Sequence, residues 1–162
     1  VKKVPEPLEE VVAEAIQRYQ KRYPDSELKV KIPEDFLMVP MDPTLIEQVI
    51  MNLLENAWVH SGSDAPIELD IKEEGNKVVF YIRDHGNGIA PERLDQLFDG
   101  CAGAIDHESR KGMGIGLSIC KSIVMAHQGD VYARNYEDVA EFSFSLPMDE
   151  KELTEEKELS QR

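Results

Sequence analysis

Three short segments of this 162-residue chain combine polar side chains with glycine-rich backbone, and they follow one another in a fixed order. They are NLLEN at residues 52–56, DHGNG at 84–88 and GMGIGL at 112–117. The first supplies carboxamides, the second a carboxylate before a glycine turn, and the third bare backbone amides at a helix start. Each segment alone is a weak signal, because glycine triplets recur in many loops. Their order and local context together predict a single nucleotide site.

Asn52 and Asn56 are four residues apart, which places both carboxamides on one face of a helix. Glu55 is turned about 100° away from Asn56 on the same helix. A carboxamide oxygen is a hard ligand that suits Mg²⁺, an ion that keeps several waters and takes further bonds from phosphates. The alternative is that the two side chains cap neighbouring loops.

Asp84 ends a predicted strand, and Gly86 and Gly88 let the backbone turn close to a flat ligand. A buried carboxylate at this point would accept a hydrogen bond from an exocyclic amine and select adenine over guanine. The alternative is an ordinary turn in which Asp84 satisfies local amides.

Gly112, Gly114 and Gly116 lead into a predicted helix, where free amides and the helix dipole would favour phosphates. Arg110 and Lys111 add positive charge just before them. A flexible glycine hinge remains an alternative. The dinucleotide-binding pattern does not fit, because it needs glycines at its first, third and sixth positions after a strand.

Composition limits the partners. The chain has a formal net charge of −14 and no dense basic patch, so a nucleic-acid partner is not expected. Its two cysteines, Cys101 and Cys120, have no metal-ligand spacing and fit a reduced, cytoplasmic compartment. No apolar run is long enough for a membrane helix. Because the chain begins at Val1 rather than Met, we expect it to be part of a longer protein.

The hydrophobic pattern predicts one α/β domain over residues 1–148 and a charged tail, frayed or disordered, over residues 149–162. Asp42 followed by Pro43 marks a helix start. The predicted helices cover residues 7–23, 43–60, 91–97 and 115–127, the last ended by Gly129, and the predicted strands cover 28–32, 36–39, 67–71, 78–82, 131–134 and 142–146. Residues 98–110 show no periodicity and are predicted to form a mobile loop.

With these residues in place, the chain resembles the ATP-binding catalytic domain of bacterial sensor histidine kinases, in the wider group with gyrase, Hsp90 and MutL. Residues 52–56 resemble its asparagine box, 84–88 and 112–117 its two glycine boxes, and 97–98 its phenylalanine box. The likeness covers about residues 3–147. The run KGMGIGLSICKSIV from Lys111, with AHQG from Ala126, most resembles the KdpD-type kinases.

The resemblance implies an α+β fold of the Bergerat type, a two-layer sandwich in which three helices cover one face of a mixed sheet of about five strands. It implies that Asn56 holds Mg²⁺, that Asn52 arranges the phosphates as a catalytic residue, and that Asp84 binds the adenine amino group. The loop at 98–110 becomes an ATP lid. The implied ATP-binding set is Asn52, Asn56, His60, Asp84, Gly86, Gly88, Ile89, Phe98, Arg110, Lys111, Gly112, Gly114, Gly116 and Leu117.

Two positions depart from the family pattern. Val59 stands where the family commonly has Lys or Arg in contact with phosphates, although the neighbouring His60 matches a frequent His or Tyr. Cys101 stands where a second aromatic residue of the phenylalanine box is usual. A non-catalytic nucleotide-binding or interaction module is therefore an alternative function.

Hydrolysing members of the wider group have Glu four residues before the metal-binding Asn, and this chain has Asn52 there. An amide cannot accept the proton of water as a carboxylate can, so phosphoryl transfer is favoured over an ATPase clamp or switch. The resemblance implies a phosphoacceptor histidine on an upstream helical domain of the same parent protein, and a response regulator. It further implies a homodimeric parent anchored in the bacterial inner membrane, with no direct membrane contact from this domain.

None of the chain's own histidines has the context of a phosphoacceptor. His107 lies in the predicted lid without a helical apolar pattern, and His85 lies in the glycine turn. His127, near a predicted helix end, would favour the helix dipole. We therefore expect the chain to bind Mg-ATP without phosphorylating itself.

Overall fold

A five-stranded mixed sheet with helices on one face forms the framework of the protein. The computed structural model describes residues 1–61, 64–86, 88–89, 98, 113–137 and 139–148. Within these residues the elements are β1 (Val4–Pro7), α1 (Leu8–Arg22), β2 (Leu28–Lys31), β3 (Met38–Met41), α2 (Pro43–Ser61), β4 (Ile67–Glu74), β5 (Lys77–Arg83), α3 (Met113–Ala126), β6 (Val131–Tyr136) and β7 (Val139–Pro147).

The sheet has the strand order β2-β4-β5-β7-β6. Strand β2 runs parallel to β4, and the other neighbouring pairs are antiparallel. Strands β1 and β3 form a separate antiparallel pair. The three helices and the five-stranded mixed sheet confirm the predicted fold class.

Side chains along the central strands point alternately to the inner face of the sheet, which the helices cover, and to its outer face. Phe80 of β5 lies opposite Phe144 of β7, and their rings stack with centroids 4.3 Å apart. Both side chains are fully buried among apolar residues of α1, α2 and α3. The alternate residues, such as Tyr81 and Glu141, lie on the outer face, because successive side chains of a strand point to opposite sides.

The start of α2 agrees with its sequence signal. Asp42 Oδ1 accepts a hydrogen bond from the Leu45 amide at 3.4 Å, and the helix begins at Pro43 as predicted. The hairpin of β4 and β5 also agrees, and Gly75 in its turn has a φ of +63°. Both signals depend on neighbouring residues only, which explains why the sequence was sufficient for them.

The N-terminal prediction was wrong in two places. Residues 4–7 form β1, so the first helix begins at Leu8 and not at Pro7. The predicted strand at 36–39 is shifted to 38–41, and Phe36 is exposed. The reason is the pairing of β1 with β3, which sets Pro5 opposite Pro40. Two residues without an N–H can face each other where neither donates to the ladder.

Helix α3 begins at Met113, two residues earlier than predicted, and its end also differs in detail. Gln128 has the left-handed φ of +61°, and the Gly129 amide donates to the Val124 carbonyl at 3.0 Å. Gly129 is needed for a different reason, because a Cβ there would lie 1.9 Å from the Ser145 carbonyl oxygen. Strands β6 and β7 extend beyond the predicted 131–134 and 142–146.

Several predictions fall on residues outside the described ranges. These are the short helix at 91–97, the loop at 99–110 and the charged tail at 149–162. In the described part of the chain, no helix has the length and apolar character needed to cross a membrane.

His127 joins the end of α3 to the start of α2. Its side chain is fully buried, Nδ1 lies 2.7 Å from the Ile123 carbonyl oxygen, and Nε2 accepts a hydrogen bond from the Asp42 amide at 3.0 Å. Nε2 must be unprotonated to accept, so Nδ1 carries the proton and donates to Ile123. The ring is a neutral bridge and not the cation near a helix dipole that the sequence suggested. Burial lowers the pKa of His127, against the opposing effect of its bond to Ile123.

The bridge predicts a pH-dependent stability. Folding lowers the pKa of His127 below its ordinary 6.5, so the unfolded chain binds this proton more readily. The contribution of the neutral ring is complete above pH 6.5 and decreases as the pH falls from there towards the lowered value. Wild-type protein should lose unfolding free energy over this range, measured by urea denaturation at several pH values.

His127→Leu should be less stable at neutral pH by about 1–3 kcal/mol, because the Asp42 amide loses its buried acceptor. Its stability should also vary less with pH below 6.5 than that of the wild type. Asn76→Ala, at an exposed position without a titratable group, is the control and should keep the wild-type slope. An unchanged slope in His127→Leu would contradict the neutral bridge.

Candidate functional site

Helix α2 packs against α1 and α3 and carries the two asparagines four residues apart. Asn56 is 8% exposed, and its Oδ1 is buried without a hydrogen-bond partner among the residues that the structure describes. Asn52, one turn earlier, is half-buried and lies near the thiol of Cys120 on α3, whose Sγ donates to the Val49 carbonyl at 3.9 Å. Burial raises the pKa of Cys120 to about 12, and the interaction with Asn52 opposes part of the increase. The amide oxygen of Asn56 is therefore buried, and none of the described residues uses its bonding capacity.

The acidic side chains of α2 face the other way. Glu55 Oε2 lies 3.7 Å from the guanidinium of Arg22, and Glu47 Oε2 lies 4.0 Å from that of Arg18. Both arginines belong to α1. The predicted rotation of Glu55 away from Asn56 is thus confirmed, and the asparagine face carries no carboxylate of α2.

Asp84 follows the last residue of β5 on the inner side of the sheet. It is 5% exposed, its amide donates to the Ala140 carbonyl at 3.2 Å, and its Oδ1 accepts from the Gly86 amide at 2.9 Å. Burial raises the pKa of Asp84, against the opposing effects of the Gly86 hydrogen bond and the charges of His85 and His60. The carboxylate is therefore held in place by backbone, in an environment that strengthens any further hydrogen bond to it.

Gly86 brings the end of β5 against the end of α2. A Cβ at this position would lie 2.1 Å from the carbonyl oxygen of Ser61, the last residue of α2. Gly88 has a φ of +76°, which side chains disfavour. Gly88 thus allows the predicted turn, whereas the close approach at Gly86 is to the backbone of α2. The predicted approach of this turn to a flat ligand stays a prediction.

Asn135, which no motif in the sequence predicted, holds the far end of this turn. Asn135 Oδ1 accepts from the Ile89 amide at 2.7 Å, and Asn135 Nδ2 donates to the Ile89 carbonyl at 2.7 Å. Asn135 lies on β6, 46 residues away in the chain. The signal that could have identified it is an asparagine within an otherwise regular strand, where this residue type is disfavoured.

Helix α3 contributes its first turn. Because α3 begins at Met113 and not at the predicted Ile115, Gly114 lies within this turn together with Gly116. The first amides of a helix have no partner within it and can bind an anion. A Cβ at Gly116 would meet no described atom within 4 Å, so this face is open. Leu117, in contrast, is 1% exposed and belongs to the core.

The remaining predicted residues differ in their surroundings. Phe98 is buried and contacts Phe142 edge to face, with ring centroids 6.0 Å apart. Val59 is 60% exposed and His60 is also exposed in the last turn of α2. Arg110, Lys111, Gly112 and Cys101 lie outside the described residues.

The described residues contain no group of three or more His, Cys, Asp and Glu side chains that could hold a metal ion between them. A metal at the asparagine face would therefore depend on other oxygen ligands.

A separate groove of about 350 Å³ lies on the outer face, lined by residues that include Tyr81, Arg134, Glu141 and Ser143. It is on the opposite side of the sheet from Asp84 and is not part of this site.

Comparison with known proteins identifies the family of the chain. The profile of the family described as histidine kinase-, DNA gyrase B- and HSP90-like ATPase matches residues 41–150. The sensor protein KdpD of Clostridium acetobutylicum is 46% identical over 150 residues, which are 91% of this chain and 17% of that protein. KdpD of Escherichia coli is 36% identical over 141 residues, which are 86% of this chain and 16% of that protein.

Among solved structures, the catalytic domain of the histidine kinase ThkA matches with a TM-score of 0.78 and 25% identity, over 91% of this chain and 97% of that one. The chain spans about a sixth of the length of the two KdpD relatives, which are 17% and 16% covered. The chain thus belongs to the family of histidine kinase-, DNA gyrase B- and HSP90-like ATPases, and is the ATP-binding catalytic domain of a histidine kinase.

Proposed function

We propose that this domain binds ATP with Mg²⁺ and transfers the γ-phosphate to a histidine on an upstream helical domain of the same parent protein. The observation that carries the proposal is the buried Oδ1 of Asn56, which has no described partner. A buried polar atom without a hydrogen bond is costly, of the order of 1–3 kcal/mol. A site that keeps such an atom on an otherwise satisfied helix is expected to use it for a ligand.

The chemistry of this atom fits Mg²⁺. Magnesium prefers hard oxygen ligands, retains several waters and is commonly shared between one or two protein groups and substrate phosphates. Asn56 would be the protein ligand, and the bound ion would neutralise charge on the phosphates. The lack of a closed acidic cluster among the described residues suits an ion that arrives with its nucleotide.

The other residues would each bind a different part of the nucleotide. We assign the adenine amino group to Asp84, whose Oδ1 is already bound by Gly86, so that Oδ2 is the oxygen for the base. Asn52 would arrange the phosphates from one turn before Asn56, and the first amides of α3 would lie against them. The phosphate-binding roles of Arg110, Lys111 and Gly112 stay predictions.

Phosphoryl transfer is favoured over hydrolysis by the direction of the carboxylates on α2. Hydrolysis needs a base that activates water, and the two glutamates of this helix are paired with arginines of α1. Phosphoryl transfer can proceed by positioning and charge neutralisation alone. Asn52 and Asn56 can orient groups, but neither can accept a proton from water.

The partners of the parent protein follow from its relatives, which are named sensor proteins. We propose a response regulator as the next phosphate acceptor and a homodimeric parent. A cytoplasmic position for this domain, in a parent anchored in the inner membrane, stays a prediction.

The exposed Val59, where the family commonly has a basic residue, favours a non-catalytic module as the second candidate.

Phosphotransfer in trans tests the proposal. The chain is mixed with Mg²⁺, γ-labelled ATP and a helical phosphoacceptor domain from a sensor histidine kinase of the KdpD type. Acid-labile label should appear on the added domain and not on this chain. Asn56→Ala should reduce the rate at least about tenfold, because it removes the metal ligand, and Mg²⁺ should no longer strengthen ATP binding in calorimetry.

Asn76→Ala is the matched control, since it changes an exposed asparagine in the turn between β4 and β5, far from Asn56. ATP binding without any phosphotransfer would favour the non-catalytic module. Acid-labile label on this chain alone would contradict the assignment of the acceptor to another domain.

Asp84→Asn tests the assignment of the base. The variant keeps an oxygen for the Gly86 amide but turns an NH₂ group towards the adenine amino group, so two donors would face each other. ATP affinity should fall about tenfold to a hundredfold, and the preference for ATP over GTP should decrease. Calorimetry with both nucleotides measures this change.

The fold should survive this substitution. Because folding raises the pKa of Asp84, its contribution to stability is complete below its ordinary 3.8 and is lost as the pH rises through the raised value. An uncharged asparagine lacks this loss, so the variant should melt at or above the wild-type temperature at neutral pH. Unchanged ATP affinity would exclude Asp84 as the adenine ligand.

A further inference from the structure

The segment from Asp84 to Ile89 is held at both of its ends by the hairpin of β6 and β7. At its start, the Asp84 amide donates to the carbonyl of Ala140 on β7. At its end, both backbone groups of Ile89 are bound by the side chain of Asn135 on β6. Asn135 and Ala140 are direct partners in the β6–β7 register. One rung of the hairpin therefore fixes both ends of the turn.

We propose that Asn135 is a positioning residue for the base side of the nucleotide site. This inference rests on the proposed function, because it assumes that Asp84 receives the base. Asn135 does not itself reach the ligand in this proposal. It acts by fixing the position of Ile89 relative to Asp84.

The Asn135 side chain takes the place of a neighbouring strand beside Ile89. An amide side chain that accepts from N–H and donates to C=O of one residue reproduces the pair of bonds that a neighbouring strand would supply. No aliphatic residue at position 135 could do this, and a carboxylate could supply only the accepting half. The inner side of Ile89 packs against the core, so the residue is held from two directions.

The two bonds are solvent-exposed, which separates their effect on the site from their effect on stability. Water can replace an exposed hydrogen bond at little cost in free energy, so the fold does not depend on this contact. The position of the turn is more sensitive, because Ile89 is then held by the core alone and no longer from two directions. Binding is weakened when a ligand must order a turn that was not ordered before.

The test compares Asn135→Ala, which removes both bonds, with Asn135→Asp, which has the same shape but cannot donate to the Ile89 carbonyl. Calorimetry measures the affinity of the full chain for Mg-ATP and for Mg-tripolyphosphate, which lacks the base. ATP affinity should fall about three- to tenfold in both variants, whereas tripolyphosphate affinity should stay within about twofold of wild type. In Asn135→Ala the Ile89 amide should also shift in NMR spectra and exchange faster with solvent, whereas Asn135→Asp keeps an acceptor for this amide.

Asn76→Ala serves as control, because it removes another exposed asparagine at the opposite end of β5. Wild-type failure to bind ATP would overturn the proposed function itself. Wild-type binding with unchanged affinity in both variants would overturn only the role of Asn135. An equal loss for ATP and tripolyphosphate, or loss of cooperative melting in both variants, would show a general structural role and would also overturn it.

Discussion

The contact between Gly86 and the last carbonyl of α2 sets the geometry on which the rest of the site depends. A Cβ on Gly86 would lie 2.1 Å from the Ser61 oxygen, so only glycine permits this approach. Asp84 lies two residues before Gly86, and Asn56 lies five residues before Ser61. The spacing between the carboxylate and the orphaned amide oxygen is therefore fixed by backbone against backbone, without adjustable side chains.

The outer face of the sheet supports the same strand end with buried charge. Glu141 is 1% exposed and accepts hydrogen bonds from Arg83 at 2.6 Å and from Arg134 at 2.5 Å. Burial lowers the pKa of Arg83, but the hydrogen bonds and charges of Glu141 and Asp70 together raise it by more. Losing one partner of such a buried pair is costly, so β5, β6 and β7 are held in register. Arg83 and Asp84 are adjacent in the chain and lie on opposite faces of the sheet. The ion pairs that hold Arg83 on the outer face therefore also restrict the backbone of Asp84 at the site.

Local signals in the sequence predicted most elements, and contacts between distant residues account for the failures. Alternating apolar residues identified β4, β5 and β7, and Asp42 with Pro43 identified the start of α2, because these patterns involve near neighbours. Strand β1 was missed because its partner is β3, more than 30 residues later. The site residues were predicted from their boxes, but Asn135 and the carbonyl of Ser61 were not. Their function lies in a spatial contact and not in a motif.

Val59 shows how the proposed site would differ from the family pattern in its electrostatics. The side chain is 60% exposed, next to His60 in the last turn of α2, where Gly86 has already fixed the backbone of Ser61. A cation is commonly present here in the family, and an exposed valine contributes no charge to a nearby phosphate. Charge neutralisation would then fall on the ion at Asn56 and on the amides of α3, which are both backed by buried structure. Affinity for ATP should therefore depend on Mg²⁺ more steeply in this domain than in one with a basic residue at that position.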